Sequence, residues 1–81
     1  MIVQIFHNMS KTVDITAITG GTQPYDVWVC EDCSANVCQY ITTINDSDLP
    51  YDFTLPSNFE NLSSYTIRII DNNNCITCNT F

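Results

Sequence analysis

The chain has 81 residues, enough for one small domain with a thin core, because a chain of this size buries only roughly 60% of the surface its unfolded form exposes. Nine Asp and Glu residues stand against Lys11 and Arg68, giving a net charge of −7, and two cations cannot neutralise a run of phosphates. Nucleic acid and anionic membranes are thereby excluded as partners, and an acidic, self-repelling surface is implied.

Residues 1–7 open the chain as a strand. They are too short and lack the basic start of a signal peptide, and no apolar run approaches the roughly 20 residues of a membrane span. The expectation is a chain made in a cytosol without a visible export signal. A second strand is predicted over 11–19, with Val13, Ile15 and Ala17 on one face and Thr12, Asp14, Thr16 and Ile18 on the other. Gly20-Gly21 turns the chain into a third strand, 25–30, apolar on both faces and so suited to a central position. Trp28 on that strand is expected near the centre of the fold, or on an interface if that face is uncovered.

A loop over 31–37 leads to a fourth strand, 38–44, and a further loop over 45–48. Pro50 and Pro56 bracket a short fifth strand, 51–55, as an edge element. The connection 56–64 has room for one helical turn near Phe59. Strands 65–70 and 75–81 close the chain as a hairpin across Asp71-Asn72-Asn73-Asn74. Seven short strands with turn signals at roughly 8–12-residue intervals predict an all-β, antiparallel sandwich in a single domain over 1–81, with a small open barrel as the competing arrangement.

The five cysteines leave three readings open. Cys30-x2-Cys33 and Cys75-x2-Cys78 supply four thiolates of the type that holds structural zinc. Residues i and i+3 of a strand point to opposite faces, however, and the topology sets Cys30 and Cys33 far from Cys75. A local disulfide within Cys30, Cys33 and Cys38 is the second reading, with Cys30 and Cys38 facing each other across a hairpin. Buried free thiols are the third. Five is an odd number, so at least one thiol stays unpaired within a monomer.

Nothing assembles a catalytic constellation. His7 is the sole histidine, without an orienting partner, so no enzymatic activity, catalytic residue or cofactor is expected. Asp46, Asp48 and Asp52 lack the pattern of a calcium loop and read as solvated acids. The sequons at 8–10, 45–47 and 61–63 carry little weight without a secretory signal.

Two segments resemble a known family. Gly20-Gly21-Thr22-Gln23-Pro24-Tyr25 before the third strand, and Tyr65 to Asp71 followed by Cys75, are similar to elements of the immunoglobulin-like repeats in Bacteroidetes surface adhesins. Leu62-Ser63-Ser64-Tyr65 is also similar to the tyrosine corner of immunoglobulin-like domains. The resemblance implies an immunoglobulin-like sandwich. Asn73 or Asn74 stands where glycine is usual, and asparagine tolerates the left-handed turn required there. The early cysteine of such repeats is missing.

A single acidic module of this kind also looks like an accessory structural protein of tailed phages. The expectation is therefore a virion protein that decorates the capsid or belongs to a head fibre or tail. It would bind other virion proteins or itself as a homo-oligomer, through its first or last strand. The alternatives are a bacterial surface adhesion or carbohydrate-binding module, using Trp28, Tyr40 or Tyr51, and a small cysteine-based zinc protein.

Overall fold

Alternation of apolar and polar residues dictates seven strands, and a computed structural model, which describes residues 1–7, 11–34 and 36–81, places all seven. They are β1 (Ile2–His7), β2 (Thr12–Thr19), β3 (Tyr25–Cys30), β4 (Cys38–Ile44), β5 (Tyr51–Thr54), β6 (Thr66–Ile70) and β7 (Ile76–Thr80). Two short 3-10 turns, Asp46–Asp48 and Ser57–Phe59, fill the connections flanking β5. The sequon at 8–10 lies outside the described residues.

The strands form two antiparallel sheets, β1-β2-β5 and β4-β3-β6-β7. This is a two-sheet antiparallel β-sandwich, with β4 paired to β3 rather than joining the sheet of β5. Between the sheets, Val13 and Ile15 of β2 meet Tyr25, Val27 and Val29 of β3 and Ile67 and Ile69 of β6, all fully or nearly fully buried. Leu55 and Phe59 plug the gap left by the short β5.

Two bulges change which residues face inward. Ile5 pairs with Ile15 while Gln4 pairs with Ala17, so Thr16 is the extra residue of β2. Past it the alternation shifts by one, and Ile18 joins the core in place of the expected Ala17. The Thr16 hydroxyl donates to the Gln4 carbonyl at 3.1 Å. A second slip, between Val27 and Trp28, leaves Ile41 of β4 packed against the core.

At one end of the sandwich three turns interlock. Gly20 has a φ of +84°, in the left-handed region that favours glycine, and a Cβ on Gly21 would lie 2.9 Å from the Met1 sulfur and 3.0 Å from Tyr25, so a side chain there would displace the Met1 thioether. Asn74 occupies the left-handed region at φ 65°, the role expected of an asparagine standing where glycine is usual.

Candidate functional site

The outer face of the four-stranded sheet carries the most concentrated chemistry. Cys30 and Cys38 lie directly opposite each other in the β3–β4 ladder, Cα atoms 4.1 Å apart, and form one disulfide. Cys33, in the connection between those strands, bonds to Cys78 on β7, Cα atoms 5.8 Å apart. The first pairing is the hairpin bridge named as one alternative from the sequence. The second is not local: the last strand enters the partnership at Cys78. Cys75 is free and exposed at the opposite end of the fold. The set Cys30, Cys33, Cys75 and Cys78 is therefore not gathered around one point, and four of the five sulfurs are in disulfides.

Between the two bridges a row of side chains crosses the sheet. Trp28 of β3 is in register with Arg68 of β6, and Arg68 with Cys78 of β7. The Arg68 guanidinium donates to the Cys33 carbonyl. Trp28 thus sits on the outer face and not in the centre of the sandwich, because β3 turns Tyr25, Val27 and Val29 inward and the intervening residues outward. Its ring meets Tyr40 edge-on at 5.3 Å. Tyr40 is half exposed, and its hydroxyl, Thr43 and the Asp26 carboxylate form a hydrogen-bonded chain along β4 and β3. Tyr51, the third aromatic considered for sugar contact, packs instead on the core beside Phe53.

Asp71, Asp46 and Asp48 are committed to structure. Asp71 accepts from the backbone N–H groups of Cys75 and Asn73 at 2.9 Å and of Thr22 at 3.1 Å. Those donors, Cys75 foremost, hold its carboxyl below the usual aspartate range, assisted by the N-terminal ammonium and opposed by burial. Tyr25 donates to Asp46 at 2.9 Å, and burial first, then that bond and the charges of Asp46 and Asp71, push the phenol up. Asp48 accepts from the Asn45 N–H in a capping box. Asp52 pairs across the ladder with Asp14. Among the described residues no cluster of three or more His, Cys, Asp or Glu is placed to hold a metal ion.

His7 belongs to an aromatic group at the other end, with its ring 4.3 Å from Phe81 and edge-on to Tyr65. Tyr65 is buried there, and its backbone exchanges both hydrogen bonds with Phe81. No described helix is long and apolar enough to cross a membrane.

The terminal strands are sheet edges, as expected. β1 is the edge of one sheet and β7 of the other, and they run side by side on one flank, where Thr77 donates to the Met1 carbonyl at 3.4 Å. Neither strand contains Lys, Arg, Asp, Glu or Pro. Ile2, Phe6 and Ile76 are 66%, 64% and 58% exposed.

No family model, curated protein or solved structure matches this chain. Two residues important to these arrangements escaped sequence reasoning. Asp71 was visible only as a turn former, although an Asp opening an Asp-Asn-Asn-Asn turn is well placed to bond the N–H two residues on. Cys78 carried no local signal for its partner, because the bond depends on register across two ladders.

Proposed function

We propose that this chain is an accessory structural protein of a phage particle, decorating the capsid or forming part of a head fibre or tail, that binds neighbouring virion subunits through the flank formed by β1 and β7. The observation that carries the reading is this pair of adjacent, uncharged edge strands with Ile2, Phe6 and Ile76 exposed. Sheet edges are normally blunted by lysine, proline or a covering segment, and an unguarded edge is a template for strand addition. Two disulfides suit a protein that works in an oxidising exterior, and the acidic surface suits a particle that must not aggregate.

Mass spectrometry of purified particles from an infected culture tests the assignment. The protein is expected in the particle at stoichiometric levels, and its presence only in the lysate overturns the reading. Light scattering on the isolated chain separates self-association from docking on another subunit. A contact burying about 1,000 Å² or more is expected for a specific interface.

A second reading, a carbohydrate-binding module, draws on Tyr40, whose exposed ring lies beside the Thr43 and Asp26 oxygens. Binding on a glycan array that is lost in Tyr40→Ala would favour it over the first. An array without hits removes it.

A further inference from the structure

We infer that β1 pairs with β1 of a second copy, antiparallel about a two-fold axis at Gln4, an inference that rests on the reading of this flank as a docking surface and not on the particle that contains it. The three-stranded sheets of the two copies then join edge to edge as one continuous sheet.

The backbone of β1 has the groups for this pairing. The Thr16 hydroxyl of β2 donates to the Gln4 carbonyl, so Gln4 turns its backbone groups toward β2. Successive residues of a strand send their N–H and C=O groups to opposite sides, so Val3 and Ile5 direct theirs away from β2. The Met1 carbonyl, of the same parity, is likewise turned outward and accepts from Thr77 of β7. Among the described residues no strand pairs with that outer edge. The extra residue of the bulge, Thr16, lies on β2, so β1 keeps regular alternation along the edge. With Gln4 facing Gln4 of the second copy, Val3 faces Ile5, and each such pair exchanges two N–H···O bonds.

The side chains select a second copy as the occupant. Ile2, Gln4 and Phe6 are exposed on the outer face of the sheet, while Val3 and Ile5 pack against the core. About an axis at Gln4 the run Ile2-Val3-Gln4-Ile5-Phe6 is symmetric in kind: Ile2 meets Phe6, Val3 meets Ile5 and amide meets amide. Aromatic and β-branched side chains placed opposite each other are a favourable cross-strand pair. An axis at Val3 or at Ile5 would set Gln4 against Ile2 or Phe6 and leave one end of the strand unpaired.

Charge points the same way. β1 has no Lys, Arg, Asp or Glu, and the first carboxylate on its face is Asp14, one strand further in and opposite Phe6. A cationic segment laid along β1 would find no acid on the strand it pairs with. In the joined sheet, Asp14 and its counterpart are three strand spacings and four residues apart. Spacings of about 4.8 Å and about 3.4 Å put them about 20 Å from each other, against a screening length of about 8 Å. The net charge of −7 therefore does not oppose the contact. The far edge of the sheet, β5, carries Asp52 and is bracketed by Pro50 and Pro56, so this sheet closes at two copies instead of growing into a fibre.

The test is sedimentation equilibrium on the unaltered chain and on Gln4→Lys and Gln4→Glu, alone and mixed in equal amounts, with circular dichroism to check folding. The unaltered chain is expected at twice its monomer mass. Gln4 is exposed and its side chain makes no described hydrogen bond, so the monomer accepts either charge. Like charges facing each other across the axis should weaken pairing by on the order of tenfold or more in each variant. The mixture sets Lys against Glu and should recover it. A monomeric unaltered chain, undiminished pairing in either variant, or a mixture no tighter than its components overturns the inference. Monomeric in solution yet present in particles, the chain keeps the virion reading and loses this pairing; dimeric yet absent from particles, it does the reverse. Should a variant fail to fold, hydrogen exchange on the unaltered chain decides. The Val3 and Ile5 N–H groups should be protected at high concentration and exchange faster on dilution, and protection independent of concentration overturns the pairing.

Discussion

The two ends of the sandwich are closed by different chemistry. At the end where β3 begins, the turns before β3, β5 and β7 are locked by hydrogen bonds: Asp71 to Thr22, Asn73 and Cys75, Tyr25 to Asp46, and the Asp46 N–H to Gln23 at 2.8 Å. At the end where β3 finishes, the connection to β4 is held by Cys30–Cys38 and Cys33–Cys78. One closure responds to pH because its acceptors are carboxylates, and the other responds to redox poise because its ties are sulfur–sulfur bonds.

The largest expected effect comes from the long covalent tie. Cys33 and Cys78 are separated by 45 residues in sequence. On the loop-entropy model, removing a cross-link of that span costs about 4 kcal/mol, a large share of the roughly 5–15 kcal/mol that stabilises a typical domain. Cys33→Ser/Cys78→Ser is expected to lower the urea midpoint accordingly. Cys30–Cys38 closes a separation of only 8, and the same model gives about 2.6 kcal/mol for Cys30→Ser/Cys38→Ser. If the short bridge proves the more costly to lose, burial of Cys30 outweighs chain entropy at this end.

The polar end is broken next by Asp71→Ala, which leaves three backbone donors without their acceptor and should lower Tm at neutral pH. The folded-state pKa of Asp71 is depressed, so its stabilisation is present above the ordinary aspartate value and is lost as pH falls below about 4 and through the lowered value. Thermal unfolding from pH 7 to pH 2 should fall steeply in the unaltered chain and less steeply in Asp71→Asn. Parallel curves would show that other carboxylates govern acid unfolding.

The smallest effect is expected from Tyr25→Phe, which removes the bond to Asp46 and should cost about 1 kcal/mol at neutral pH by urea unfolding. The Tyr25 phenol is raised in the folded state, so its contribution holds below about pH 10 and fades as pH rises through that value toward the folded one. The variant should therefore lose less stability than the unaltered chain on passing from pH 9 to pH 11. Neither Asp71 nor Tyr25 substitution should alter the rate at which Cys33 and Cys78 are reduced, which is the sharpest check that the two closures are independent.

The amino-acid sequence by itself determined the seven strands, because alternation over four to eight residues and the glycine, proline and asparagine turns between them are local physics. It also determined that the terminal strands would seek sheet edges and that an odd cysteine would remain, here Cys75. The tertiary structure alone decided what depends on register. One extra residue at Thr16 exchanged Ala17 for Ile18 at the core. The inward turn of Val27 and Val29 sent Trp28 to the outer face. Pairing of Trp28 with Arg68 and of Arg68 with Cys78 brought a sulfur on the last strand within reach of Cys33, across two ladders. A local pattern specifies which residues share a face, whereas contacts between distant strands are chosen only when every ladder has settled on its pairing.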